Sequence, residues 1–430
     1  MVGQYPTMMM RVALLTLAFS PGLIGLLKPV EAAATQAVPS SRPTAVLAEP
    51  GSELTIYLMT MGPGKAVWER FGHNAIWVHD PKRGTDKAYN YGLFDLRQQG
   101  FLVRFLQGRM WYWMQGFPAQ AYVELYRRAN RSVWVQELEI AAPARRELQE
   151  FLEWNERPEN RFYHYDYYRD NCSTRVRDAL DRALGGRIRE YAEALPTGKT
   201  YRFHTRRLTA NDPLVYTGLL LGLGQPVDRE ISAWDEMFLP LALRDHIRKV
   251  TTGAAGTPEV PVVRSERTLF ESTGTPPPDH PPFWLLVYLG FGLTIGIGTV
   301  LLGRAARSSS RARTGFLATG ITWSLVVGVF GLVLAGLWGL TDHTAAYYNE
   351  NLLQANPLAL VLVWLLPRSK RRGLRLAWMV TAMIAGLSLL GFLLKVFPTF
   401  YQVNGEIIAL ALSIHFGLAA AMWQLNRQRL

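Results

Sequence analysis

A single cysteine, Cys172, occurs in 430 residues, within the stretch YYRDNCSTRVRDAL (167–180). A lone cysteine is most often a small buried hydrophobe. Here the neighbours are Arg169, Asp170, Asn171, Ser173, Thr174 and Arg175, which are not core company. With no second cysteine an internal disulfide is excluded. The context favours a reactive thiol over an inert one, and both readings stay open. The spacing predicts a helix with Cys172 in its first turn, capped by Asp170 or Asn171, with Val176, Leu180 and Leu184 on one face and Gly185–Gly186 at its end. Free amides at a helix start favour a thiolate and an oxyanion, so this placement predicts a lowered thiol pKa. Beside the sulfur, Asp170 and Asn171 are candidates for substrate binding as well as for capping alone.

A thiol nucleophile needs a base. The same half of the chain holds His73, His79, His164, His204 and His246. His79 sits beside Asp80–Pro81, and His204 and His246 are flanked by arginines on segments that read as exposed. His164 lies in an aromatic run, where a half-buried structural histidine is equally at home. His73 follows Gly72 and heads a strand, so spacing ranks it narrowly ahead of His164. Other chemistries lack their patterns: there is no HExxH, no CxxC, no histidine pair at i, i+4 and no GxSxG, and GPGK (62–65) lacks the phosphate-loop spacing. No metal or other cofactor is expected. Paired carboxylates for glycoside hydrolysis stay open, because Asp and Glu are scattered throughout.

The elements that must position these groups read as a mixed α+β unit. LTIYLMTMG (54–62), the short strand Ala75–Val78 and KAYNYGLFDL (87–96) are strand-like. AAPARRELQEFLEWNER (141–157) is an amphipathic helix, and NRFYHYDYY (160–168) an aromatic strand or turn. Segments rich in Pro, Gly, Ser and Ala bracket this unit at 35–51 and 251–282, and they predict linkers around a domain over 52–250.

After residue 282 come apolar runs at about 283–303, 315–340, 356–367, 376–397 and 405–424. Four are long enough to cross a bilayer; the third is short and either borrows length from NENLLQA or is a half-helix packed among the others. The chain carries a net charge of +12. Residues 281–430 hold 12 Lys+Arg against 3 Asp+Glu, so +9 of it lies there. Most of that is RAARSSSRAR (304–313) and RSKRRGLR (368–375), each between two apolar runs. This is a topology signal rather than a nucleic-acid footprint, and nucleic acid is excluded as a partner. The clusters face the cytoplasm. The loops without Lys or Arg, TDHTAAYYNENLLQANP and FPTFYQVNGE, face outward with the globular unit. Residues 1–34 read as a signal peptide: Arg11, an uncharged Val12–Leu27, and Ala32–Ala34 for cleavage. Residues 425–430 are a cytoplasmic tail.

FGHNAIWV (71–78), YNYGLFDL (89–96) and FYHYDYYRDNCSTRVRDAL (162–180), in this order, resemble the periplasmic domain of the Lnb family of bacterial lipoprotein N-acyltransferases. LTDHTAAYYNENLLQANPLAL (340–360) is similar to that family's membrane region. The resemblance covers about 54–250 and most of 283–424. It implies a circularly permuted papain-like fold, of the NlpC and lecithin:retinol acyltransferase kind, followed by an all-α domain of about five transmembrane helices. It implies Cys172 as nucleophile and His73 as its base and acid, which settles the choice against His164. On that fold Asn90 is the candidate orienting residue, with Asp95 behind it. The implied reaction moves an acyl chain from a phospholipid, through a Cys172 thioester, to the N-terminal amine of a diacylglyceryl-cysteine lipoprotein. On the outer face, His343, Asn349 and Asn351 are candidates to contact a headgroup or support the pair. Trp111, Tyr112, Trp113 and Met114 are candidates to lie against lipid. The implied home is the bacterial inner membrane, multi-pass, with the catalytic domain in the periplasm. Two competing readings remain: a membrane-anchored thiol hydrolase, either phospholipase or cell-wall amidase or peptidase, and a non-enzymatic membrane binding protein with an inert cysteine.

Overall fold

The computed structural model describes residues 49–253, 258–368 and 371–427; the expected signal peptide, the first linker up to residue 48 and the end of the cytoplasmic tail lie outside the described residues. One seven-stranded antiparallel sheet organises the first half. Its strands are β1 (Thr55–Met61), β2 (His73–Asp80), β3 (Thr85–Leu93), β4 (Trp111–Pro118), β5 (Val133–Leu138), β6 (Phe162–His164) and β11 (Val263–Phe270), in the order β11-β5-β1-β2-β3-β4-β6. Small two-stranded pairs are β7 (Pro196–Thr200) with β8 (Glu230–Ser232), and β9 (Thr251–Thr252) with β10 (Val260–Pro261). The helices of this half are α1 (Phe101–Gln107), α2 (Ala119–Arg128), α3 (Ala142–Asn155), α4 (Cys172–Ala183), α5 (Arg187–Ala192), α6 (Tyr201–Leu208), α7 (Pro213–Gly222), α8 (Ala233–Glu236) and α9 (Pro240–Ile247).

Residues two apart along a strand share a face of the sheet. Ile56, Leu58, Ile76, Val78, Tyr89 and Tyr91 point to the face covered by α3 and α4, where Leu148, Leu152, Val176 and Leu180 meet them. The opposite face, Met59, Met61, Ala75 and Ala88, is covered by Tyr122, Val123 and Tyr126 of α2.

One boundary needs correction. The stretch 251–282 is not all linker: Val263–Phe270 pairs with β5 and closes the sheet edge. The sequence VRSERTLF is charged because an edge strand is protected by charges against further pairing, and that hid it among Pro- and Gly-rich neighbours. Residues 271–284 carry no helix or strand.

The second half is helical: α10 (Leu285–Ala305), α11 (Ser310–Leu340), α12 (Ala359–Leu365), α13 (Arg371–Leu393) and α14 (Gly405–Arg427). Among the described residues four helices are long and apolar enough to span a bilayer: Leu285–Ala305, Ser310–Leu340, Gly373–Val396 and Gly405–Arg427. Small residues let α10 and α14 approach backbone to backbone, with Gly292 and Gly296 against Ala409, Ser413 and Gly417. The third apolar run is the short helix Ala359–Arg368. Non-helical chain tolerates membrane depth only where protein covers it, and the segment before α12 is so covered. Asn349, Glu350, Asn351 and Gln354 are buried there, and Gln354 donates to the Ser388 carbonyl at 3.0 Å.

That segment also clasps the two halves together. Asn349 donates to the carbonyls of Leu221 and Gly222 at 2.9 and 3.0 Å, and Asn351 to those of Leu220 and Leu221 at 3.1 and 3.0 Å. Arg202, paired with Asp228 at 2.7 Å, donates to Leu220, Leu223 and Gly224. The open C-terminal carbonyls of α7 are thus completed largely from the membrane half. Arg206 pairs with Glu406, and Lys395 with Glu350.

Candidate active site

Cys172 is the first residue of α4, and Asn171 is its cap. The Asn171 Oδ1 accepts from the amides of Ser173 and Thr174 at 2.9 and 3.0 Å. Its Nδ2 donates to the carbonyls of Tyr167 and Phe238, both at 3.0 Å. Every polar atom of this buried side chain is committed to holding the turn, so Asn171 has nothing left for a substrate. Asp170 is held by both donors of Arg175, the second at 2.6 Å, and Arg175 lies over the Tyr163 ring.

His73 is the first residue of β2, against which α4 packs. The tie between them runs through the next residue of each motif. Ser173 Oγ lies 2.9 Å from Asn74 Oδ1 and 2.6 Å from the Met237 carbonyl, two acceptors that share its one proton, and Asn74 Nδ2 donates to Thr60 Oγ1 at 2.8 Å. The backbone N–H of Asn74 also points at the Cys172 sulfur, as do those of Ser173 and Cys172 itself. One hydrogen-bonded unit therefore registers the start of the histidine strand against the start of the cysteine helix, across 99 positions of sequence. His73 and Cys172 share further neighbours. The rings of Tyr122 and Tyr126 each lie 6.4 Å from that of His73, and both feel the charge of Cys172.

The other histidines are elsewhere. Tyr163 of β6 and Tyr165 just beyond it lie near Cys172, while His164 between them packs on Trp111 at 4.0 Å. His79 binds Asp86 at 2.8 Å, while His204 and His246 bind Glu236 at 3.0 and 2.8 Å.

Asn90 is fully buried on β3, opposite Ala75 in register. Its Nδ2 donates to the Ala88 carbonyl at 2.8 Å, and its side chain favours the protonated form of His73. Asn90 Oδ1 and His73 Nε2 are both buried without a hydrogen bond of good geometry. Asp95 does not stand behind Asn90; it pairs with Arg97.

The electrostatics correct the expectation of a ready thiolate. Burial pushes the Cys172 thiol up to about 11, against the pull of the three amides and of Arg131. Burial, reinforced by Arg131, pushes His73 down to about 4. At neutral pH Cys172 is then a thiol and His73 a neutral imidazole. Arg131 was not singled out from the sequence. It is buried, its guanidinium lies 4.6 Å from the Tyr126 ring, and Nε donates to the Gly62 carbonyl at 2.9 Å. Its only sequence signal is a position just before β5.

Gly92 opens the approach to sulfur. Its φ is +87°, and a Cβ there would lie 3.2 Å from that of Cys172. Tyr165 borders the same point and stacks on Tyr112 at 4.2 Å. In the run WYWM, Tyr112 and Met114 are core residues and only Trp111 is well exposed. His343 reaches the periphery of the site: it stacks on Tyr167, which meets Tyr165, and its Nε2 lies 2.8 Å from the Phe105 carbonyl. Asn349 and Asn351 do not join it, because both are buried under α7.

Comparison with known families fits these two halves. Residues 49–208 match the Lnb N-terminal periplasmic domain, and residues 294–429 match the Lnb transmembrane domain. The chain belongs to the Lnb family. No curated protein and no solved structure matches it. As an Lnb-family chain it is a multi-pass inner-membrane protein with a periplasmic N-terminal domain, and it is associated with lipoprotein processing. Cys172, His73, Asn74 and Arg131 all fall within the match to the Lnb periplasmic domain.

Proposed function

We propose that this protein is a lipoprotein N-acyltransferase working through a Cys172–His73 pair on a circularly permuted papain-like domain. The observation that carries this reading is the Ser173–Asn74 bond, which registers a helix-start cysteine against a strand-start histidine above a membrane bundle. In the first half-reaction the Cys172 sulfur attacks the ester carbonyl of a phospholipid while His73 takes the thiol proton. The amides of Asn74, Ser173 and Cys172 are the donors at hand for the oxyanion. The C–O bond breaks, His73 gives its proton to the departing lysophospholipid alcohol, and a thioester remains. In the second, the free α-amine of a diacylglyceryl-cysteine attacks the thioester carbonyl. A C–N bond forms, the C–S bond breaks, and the proton lost by nitrogen returns through His73 to sulfur. A neutral resting pair suits this cycle, since His73 is already in its basic form.

The test is the N-terminal mass of a reporter lipoprotein in a bacterium depleted of its own N-acyltransferase. Wild-type protein is expected to add one acyl chain, and Cys172→Ala and His73→Ala to add none. A free α-amine despite good expression would refute transfer, and release of free fatty acid in its place would identify the hydrolase.

A further inference from the structure

The globular domain carries an apolar patch on the side of the cysteine. Trp68, Leu96, Leu102, Val103 and Leu106 are between 57% and 67% exposed. Four of the seven residues of α1, FLVRFLQ, are exposed and apolar, while Phe101 packs inward on Phe94. A soluble surface rarely gathers so much. The height of the patch is fixed by the membrane half. The Asp342 amide donates to the Gln107 carbonyl at 2.8 Å, and Arg109 binds Asp342 at 2.6 Å. A Cβ on Gly108 would fall 2.8 Å from the backbone of Asp342 and His343. Asp342 stands two residues beyond Leu340, the 84% exposed last residue of the spanning helix α11. Two residues of chain reach about 7 Å, so with the Asp342–Gln107 hydrogen bond added α1 ends within roughly 10 Å of the apolar end of a spanning helix.

We propose that α1 and Trp68 are immersed in the outer leaflet, and that the patch is a binding surface for phospholipid acyl chains. An amphipathic element with a large apolar face at that depth lies in the lipid boundary. The patch also leads to the sulfur. Phe94 touches Trp68 at one end and stacks on Tyr112 at 5.1 Å at the other, and Tyr112 stacks on Tyr165, which borders Cys172. An acyl chain leaving the leaflet along these rings brings its ester to the nucleophile without crossing water. The direction of delivery rests on the acyl-transfer reading; immersion of the patch does not.

The experiment uses the full chain with Cys172→Ala, and Val103→Cys or Leu106→Cys carrying a bimane label, in nanodiscs whose phospholipids are brominated on the acyl chains. Glu190→Cys, at a position 69% exposed on its side chain, is the aqueous control. Bromolipid is expected to quench both patch labels at least about twofold and to leave the control unchanged. Iodide in the buffer should do the reverse. Patch labels quenched by iodide and not by bromolipid would overturn the proposal. So would labels shielded from both, which would mean that a protein covers the patch. Two labelled positions guard against one variant failing to fold. Quenching reads immersion in a chain without a nucleophile, so a failed acyl-transfer assay and a failed immersion assay are separate outcomes.

Discussion

The resting state of Cys172 can be measured directly. A thiol at about 11 is ionised to about one part in a thousand at pH 8, against roughly a quarter for a free cysteine at about 8.5. The fraction alone would slow alkylation about 240-fold. A more basic thiolate is intrinsically more nucleophilic, with a Brønsted slope of about 0.45, which returns about thirteenfold over 2.5 units. The expected rate with iodoacetamide at pH 8, without lipid, is about twentyfold below that of a free cysteine. It should climb about tenfold per pH unit up to about pH 10, because only the ionised fraction changes. Steric shielding would lower the whole curve without altering that slope, so the slope is decisive. Intact-mass kinetics from pH 6 to 10 give it, and the single cysteine removes ambiguity. A plateau below about pH 8 would refute the burial argument. Arg131→Met removes a charge that draws the thiol down, so its curve should move further to alkaline pH. Slow alkylation is thus the behaviour of a resting enzyme as much as of an inert cysteine, and trapping the acyl thioester by mass separates the two.

Asn74→Ala should uncouple β2 from α4, costing about 1–3 kcal/mol in thermal unfolding through the orphaned Thr60 hydroxyl, and lowering acyl transfer with it. For His73, held down at about 4, the acid limb of kcat/KM is expected near pH 4 rather than 6.5, and Asn90→Leu should move it lower still, as read from a pH–rate profile. Because the folded value is depressed, neutral His73 supports the fold above about pH 6.5, and that support, up to about 3 kcal/mol, is lost as pH falls toward 4; His73→Phe should flatten this part of a stability–pH curve. Asn349→Leu should leave α7 carbonyls without their donor and lower the melting temperature, while the alkylation rate of Cys172 stays unchanged.

The placement of Cys172 and His73 was legible because each sits at the start of an element, and element starts are marked by local signals: Asn171 before the helix, Gly72 before the strand. Asn90 was reachable only through the family resemblance, since nothing local distinguishes it from an ordinary strand residue. Asn349 and Asn351 were misplaced for a plain reason. An asparagine on an outer loop reads the same whether it meets a headgroup or a carbonyl, and the partner carbonyls of Leu220–Gly222 lie about 130 residues away. The thiol pKa was misjudged because the helix start announces its amides, whereas burial is set by Tyr163, Tyr165, Tyr122 and Tyr126, which come from a separate strand and helix. Arg131 and the two α2 tyrosines were illegible for the same reason: only the crossing of α2 under the sheet brings them beneath His73.

The completion of α7 by Asn349, Asn351 and Arg202 has a consequence for inheritance. A helix whose open end is finished by another domain cannot be exchanged without that domain. Chimaeras of two family members joined within 271–284 should therefore mature lipoproteins poorly unless the loop at 349–351 travels with its own α7. The apparent hinge between the halves is a covalent junction but not an evolutionary one, and substitutions in the loop at 349–351 will surface as lost stability of a helix in the other half.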